Sequence, residues 1–251
     1  MSQPRIVFIT GATSGFGAAA ARRFAQDGCR LILAGRRTDR LEALAKELSV
    51  PVHCLNLDVR NREAVEQAFA SLPADFADID VLVNNAGLAL GLNPAEAASL
   101  DDWDTMVDTN IKGVMYCSRF ALPGMVARKR GHIINIGSVA GVYPYPGGNV
   151  YGGTKAFVDQ FSLNLRADLL GKGVRVTVIE PGMCETEFSL VRFKGDEGKA
   201  DSVYAGMTPL SADDIANTIH WVATLPPHVN INRLEVMPTE QANSAFAVYR
   251  A

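Results

Sequence analysis

The feature that most constrains this 251-residue chain is an alternation of short apolar runs with longer stretches of helical period. The runs are RIVFIT (5–10), RLILAG (30–35), PVHCLNLDV (51–59), IDVLVNNAG (79–87), HIINIGS (132–138), VRVTVIEPG (174–182) and NRLEVMP (232–238). They are rich in Val, Ile and Leu and mostly do not alternate with polar residues, as expected of strands covered on both faces. Between them, TDRLEALAKEL sets Leu41, Leu44, Ala45 and Leu48 on one helical face, with Thr38 as N-cap. NREAVEQAFASL does the same with Val65, Ala68, Phe69 and Leu72 behind Asn61. Longer helical segments fall at 101–129 and 151–171, and SADDIANTIHWVATL follows near the end. Seven strands alternating with helices predict an α/β fold, a doubly wound parallel seven-stranded sheet with right-handed crossovers. A (β/α)8 barrel would need an eighth unit and a less glycine-rich first turn. No repeat, low-complexity tract or linker divides the chain, so 1–251 reads as a single domain. The one irregular stretch, 182–210, is long and polar, which suits either a substrate lid or an insertion without function.

Charge and composition narrow the partners. The formal net charge of −3 gives no footprint for nucleic acid, and no basic block suits an anionic membrane surface. The cysteines at 29, 54, 117 and 184 are dispersed, which reads as reduced thiols rather than a disulfide framework. The four histidines form no HxxH or HExxH pair, so no metal is expected. No apolar run approaches the ~18 residues of a membrane span. Strand-like sequence begins by Arg5, leaving no room for a targeting peptide, and a cytoplasmic enzyme is the expectation.

TGATSGFG (10–17) follows the first strand and opens a helix. Gly11, Gly15 and Gly17 let the backbone turn tightly and approach a pyrophosphate, with Thr13, Ser14 and Phe16 completing the loop around it. At the end of the second strand, NAD-binding folds usually carry an acid for the ribose 2′-hydroxyl. Here Gly35 holds that place, followed by Arg36 and Arg37. Two guanidiniums suit a 2′-phosphate, and hence NADP, although a solvated pair beside a helix start would look the same. Asp58 and Val59 end the third strand, and Asn85, Ala86 and Gly87 end the fourth. All lie at carboxyl ends of strands, where open α/β sheets bind ligands.

The stretch SVAGVYPYPGGNVYGGTK (138–155) carries the chemistry. Ser138 ends the fifth strand at the rim of the glycine loop. Tyr151 and Lys155 start the next helix, four apart and on one face. Of six tyrosines, only Tyr151 has a lysine at that spacing. A nearby ammonium is expected to lower the phenol below its usual pKa of about 10. Tyr151 would then move a proton to or from a carbonyl oxygen that Ser138 also binds, while a nicotinamide carries the hydride.

TGATSGFG, NNAG, the Ser138–Tyr151–Lys155 spacing and Pro181–Gly182 occur in the order that marks the short-chain dehydrogenase/reductase family, which this chain resembles over essentially its whole length. The resemblance implies a fourth catalytic member, Asn110 in DTNIKGV, holding a water that links Lys155 to solvent. It also implies that Lys155 and Tyr151 meet the nicotinamide ribose, that Asp58 lies by the adenine, and that Thr186 lies near the carboxamide beside Pro181 and Gly182. One departure stands out. Many NADP-dependent members carry a basic residue where this chain has Ser14, which leaves the 2′-phosphate to Arg36 and Arg37.

NNAGLALG, GGNVYGGTKAFVDQFSLNLRADL, TEFSLVRFKGDEGKA and PPHVNIN look like the subgroup of NADP-dependent 3-hydroxy acid dehydrogenases. That subgroup acts on serine, L-allo-threonine, 3-hydroxyisobutyrate and 3-hydroxypropionate or malonic semialdehyde, and is homotetrameric. Within the lid, Arg192 is the expected partner of a substrate carboxylate, with Lys194 and Lys199 as other cations. A surface arginine paired with Glu187 or Asp196 is the competing role. Two other functions use much of the same sequence: an NADPH-dependent ketone or 3-oxoacyl reductase, and a non-catalytic NADPH-sensing module. The apolar stripe Phe157, Phe161, Leu165 and Leu169 on the catalytic helix could line the site or face the core.

Overall fold

The computed structural model describes residues 6–242. Seven parallel strands form one sheet in the order β3-β2-β1-β4-β5-β6-β7. They are β1 (Ile6–Thr10), β2 (Arg30–Gly35), β3 (Val52–Asn56), β4 (Val81–Asn84), β5 (Gly131–Ile136), β6 (Val174–Pro181) and β7 (Arg233–Val236). The helices are α1 (Gly15–Ala25), α2 (Thr38–Glu47), α3 (Arg62–Ala70), α4 (Leu100–Val107), α5 (Gly113–Ala127), α6 (Asn149–Asp168), α7 (Glu187–Arg192), α8 (Glu197–Ser202) and α9 (Ala212–Thr224). The doubly wound seven-stranded sheet expected from the sequence is therefore the fold observed.

Why the strand runs do not alternate is visible in the packing. Val7 and Ile9 of β1 face a core with Phe24 of α1 and Ile215 and Ile219 of α9. Ile6 and Phe8 of the same strand face a second core with Val65 of α3, Met125 of α5 and Leu165 of α6. Both faces of each central strand are covered, so successive residues are mostly apolar, with His132, Asn135 and Thr177 among the buried polar exceptions. The connections from β1 and β4, which are neighbours in the sheet, depart to opposite sides. That switch opens a crevice at the strands' carboxyl ends.

Three local expectations need correction. Thr38 opens α2 but does not cap it; the N-cap is Arg37, which makes no side-chain cap bond because its guanidinium is turned back to the glycine loop. The segment 101–129 is not one helix, since a π-helical turn (Asp108–Lys112) separates α4 from α5. The segment 182–210 is not irregular throughout, because Thr186 and Asp196 cap two short helices, α7 and α8, within it. Asn61 does cap α3, accepting from Ala64 N at 2.9 Å. Leu165 on α6 and Leu169 at its C-cap are buried in the core, and the partly buried Phe157 and Phe161 stack at 5.7 Å and pack against it, so the stripe faces the core.

Candidate active site

The carboxyl end of β1 and the NNAG segment after β4 hold each other. Thr10 Oγ1 accepts from Asn85 N and Ala86 N, both at 3.0 Å. Asn85 Nδ2 donates back to the carbonyls of Thr10 (2.9 Å) and Gly11 (3.1 Å). NNAG is thus a brace for the glycine loop as well as a pocket wall. A Cβ on Gly17 would stand 2.4 Å from Gly11 O, so no larger residue fits where α1 meets the loop. Gly11 itself has φ +67°, which favours glycine. Ser14, the N-cap of α1, makes no side-chain cap bond, and the first-turn N–H groups of an eleven-residue helix face the loop.

Beside this loop lies a cluster of cations. Arg37 donates from Nη2 to Thr13 Oγ1 (2.8 Å) and Ser14 Oγ (2.9 Å), and from Nη1 to Glu187 Oε2 (3.1 Å). Its guanidinium therefore rests on Ser14, the position where the family pattern often has a basic residue. Arg40, one turn along α2, donates to Glu187 Oε1 at 2.7 Å. Arg36 is exposed, with no hydrogen bond or ion pair among the described residues. Asp58 is clamped by Arg60 through bonds of 2.6 to 3.0 Å, which hold its carboxyl below the usual range. Val59 packs against Gly113, where an added Cβ would come within 2.7 Å.

The chemical end lies in the same cavity, of about 550 Å³. Ser138 Oγ accepts from Ala140 N at 3.1 Å and lies beside the Tyr151 phenol. Lys155 is buried and donates to Ile136 O at 2.8 Å, with Nζ 5.8 Å from the Tyr151 ring centre. Here one expectation fails for the protein alone. Burial pushes the Tyr151 phenol up to about 12 rather than down, with Ser138 and the Arg192 charge pulling the other way. Burial lowers Lys155 to about 8, since desolvation disfavours its charged form. Asn110 is 1% exposed, and its side chain is spent on Leu88 N and O and on Thr154 Oγ1. A Cβ at Gly87 would stand 3.2 Å from Asn110 Oδ1 and 3.5 Å from Lys155 Nζ, so the glycine keeps a gap open between them.

The segment 182–210 covers this cavity. Arg192 lies 5.2 Å from the Tyr151 ring centre and donates to Tyr145 Oη. It is not paired with Glu187, which goes to Arg37 and Arg40, nor with Asp196, which binds Lys199. Lys194 pairs with Asp102 at the rim. Thr186, whose hydroxyl caps α7, would stand 3.6 Å from a Cβ on Gly15. Pro181, Gly182 and Phe16 also line the cavity.

Comparison with known proteins decides the family: the short chain dehydrogenase model matches residues 5–196. The chain belongs to the short-chain dehydrogenase family. It is 61% identical over 247 residues to an NADP-dependent 3-hydroxy acid dehydrogenase of Salmonella typhi, covering 98% of this chain and 100% of that one. It is 58% identical over 244 residues to a serine 3-dehydrogenase of Agrobacterium fabrum, covering 97% and 98% of the two chains. Among solved structures, a closed form of serine dehydrogenase complexed with NADP+ superposes with a TM-score of 0.94 at 58% identity, covering 98% of this chain and 100% of that one.

Several side chains of this short-chain dehydrogenase site escaped the sequence reading. Arg40 was legible in principle, as it falls in the first turn of α2 just after Arg36 and Arg37. Arg60, Glu187, Tyr145, Tyr204 and Gln241 carry no comparable signal, because the fold alone brings them to the cavity. Glu187 ties α7 to the arginines beside the glycine loop. Glu187→Gln is expected to weaken that tie and lower kcat, because the same helix carries Arg192. The half-exposed pairs hold only ~0–1 kcal/mol each, so with both weakened the change should stay within about thirtyfold. Steady-state kinetics check this, and a larger loss would give Glu187 a direct role in binding.

Proposed function

We propose that this protein is an NADP-dependent oxidoreductase that transfers a hydride at the 3-carbon of short 3-hydroxy acids, with serine, L-allo-threonine, 3-hydroxyisobutyrate and 3-hydroxypropionate as candidate substrates. One observation carries the choice of an acid over a neutral alcohol: the Arg192 guanidinium lies over the Tyr151 ring, inside the cavity that holds Ser138 and Lys155. The residues present fit NADP. The glycine loop cannot take a Cβ at Gly17, and Arg36 and Arg37, which line the cavity beside it, supply the positive charge that a 2′-phosphate needs. Bound NADP(H) supplies or removes the hydride.

The chain's own residues handle the proton and the orientation. Ser138 already accepts from Ala140 N, so its own hydroxyl proton is free to donate to the substrate oxygen. Tyr151 exchanges a proton with that oxygen. Lys155 spends one N–H on Ile136 O, which leaves two for the nicotinamide ribose. The gap at Gly87 suits a relay water between Asn110 and Lys155. Arg192 holds the carboxylate, and 182–210 acts as the lid. We further propose a homotetramer in the cytoplasm, on the strength of the subgroup resemblance. No helix of the described residues is long and apolar enough to cross a membrane.

The direct test is nicotinamide absorbance with the four acids above, each with NADP and NAD. Turnover of neutral ketones alone would refute the acid reading, and no turnover of any alcohol would favour a sensing module. Arg192→Ala should lower kcat/KM for acids by roughly 1.5–3 kcal/mol and leave a neutral secondary alcohol nearly unchanged. Equal losses on both would reduce Arg192 to a lid support.

The pH profile follows from the two shifted groups. Oxidation needs the phenolate, whose fraction below about 12 grows with pH, together with a protonated Lys155. Its kcat/KM should rise about tenfold per unit and then flatten once Lys155 loses its proton. Reduction uses the phenol, present throughout, and the same lysine. It should be flat at low pH and fall above about 8. Initial rates in both directions check this; a reduction rate that climbs through that range would contradict it.

A further inference from the structure

Gln241 belongs to none of the motifs above, yet its side chain is built into the cavity wall. It is 7% exposed, and Oε1 accepts from Met183 N at 2.7 Å. That bond fixes which end of the amide is which, since only the oxygen can accept. A Cβ on Gly182 would lie 2.3 Å from Oε1, so the glycine is what lets the amide approach. The other end, Nε2, is buried and has no hydrogen-bond partner among the described residues. Nearby acceptors are already used: Met183 O takes Leu210 N, and Cys184 O takes the Tyr204 hydroxyl. Buried donors in native proteins almost always meet an acceptor, so this one is left for a group beyond the described residues. Arg192 presents the same situation. Its Nε is buried without a partner among the described residues, and it lines the same cavity. The two walls are joined, since Tyr204 bonds both Cys184 O and Ser189 of α7, the helix that ends at Arg192.

Two donors without partners among the described residues, on side chains that line one cavity, suit a group with two acceptor oxygens. We propose that Gln241 Nε2 is the second donor to the substrate carboxylate, binding one oxygen while Arg192 binds the other. This rests on the 3-hydroxy acid reading above. A cofactor carboxamide, with one carbonyl oxygen, would leave one of the two donors unmatched. A neutral donor beside a guanidinium also restricts the site to a flat carboxylate, because it adds geometry without a second charge. Gln241 is thus a specificity residue for acids.

Gln241→Glu is the informative change. It keeps an oxygen for Met183 N and nearly the same shape, while turning the donor into a carboxylate oxygen that repels an acid. We expect kcat/KM for serine and 3-hydroxypropionate to fall about 10- to 150-fold, mostly through KM, the size of one charge-assisted hydrogen bond. A neutral secondary alcohol should be turned over as by the wild type, and the Kd for NADPH, read by its fluorescence, should not move. An amino alcohol lacking a carboxylate should be favoured by the variant, a gain that a purely structural role would not produce. Gln241→Met, which removes both polar ends, should lose acids selectively too and guards against an effect of the new charge alone. Weakened NADPH binding would assign the amide to the cofactor and overturn the proposal, as would equal losses on acids and neutral alcohols or unchanged acid kinetics. Wild-type turnover of the acids, measured alongside, tests the underlying reading separately.

Discussion

Tyr151→Phe is expected to lower kcat by ~10²–10⁴-fold in both directions while NADPH still binds. The ring has its own reasons to stay in place: it packs tilted against Phe188 with centroids 5.7 Å apart, and it belongs to a cluster with Ala89, Met106 and Ala140. What the variant loses is the proton donor and acceptor at the one place where Ser138 and the cavity meet. Burial has pushed that phenol up to about 12, which means the folded protein holds the neutral form firmly. Removing the hydroxyl therefore takes away no charge, and thermal stability should hardly change. Stopped-flow hydride transfer and a fluorescence titration with NADPH separate the two effects. Turnover near the wild-type level would remove Tyr151 from the mechanism, and loss of NADPH binding would mean that the phenol anchors the cofactor instead.

How much of this was legible in the sequence depended on the range of the interaction that carries it. Strand runs such as RLILAG declare themselves because burial on both faces is a local, one-dimensional pattern. Tyr151 and Lys155 were legible for the same reason, since a helix turns a spacing of four into a shared face. The balance of charges at the site was not. Whether Lys155 lowers Tyr151 or is itself lowered depends on how deeply both are buried, and only the three-dimensional packing sets that. The π-helical turn at Asp108–Lys112 was likewise hidden, because its residues form helix-compatible sequence and the bonds of Asn110 to Leu88 O and Thr154 Oγ1 reach to distant parts of the chain. Gln241 lay furthest from reach. It is 58 residues from Met183, and nothing in PTEQAN marks a glutamine as a buried donor.

Conversion to NAD is the other change with a large expected effect, and the order of substitutions decides its outcome. Arg36→Ala should raise KM for NADP by about 10- to 150-fold, the loss of one charge-assisted contact worth ~1.5–3 kcal/mol, with little effect on NAD. Arg36 is exposed and ties no element together, so stability should be unchanged. Arg37→Ala should act on more than the cofactor, since Arg37 also holds Thr13, Ser14 and Glu187. Adding the acid that NAD-binding folds carry is where geometry intervenes. A Cβ at Gly35 would stand 2.7 Å from Thr13 Cγ2, and Arg37 pins that threonine through its hydroxyl at 2.8 and 3.2 Å. Gly35→Asp alone should therefore strain the loop and weaken both cofactors. With Arg37→Ala in the background, Thr13 is released and can rotate away, and the aspartate no longer faces a guanidinium that would hold it from the ribose. The triple variant Gly35→Asp, Arg36→Ala, Arg37→Ala should then prefer NAD, a non-additive result expected of neighbouring residues. Michaelis constants for both cofactors, with thermal melts of the single and triple variants, check the sequence of effects. If Gly35→Asp by itself improves NAD use with no loss of stability, Thr13 yields freely and Arg37 is not its restraint.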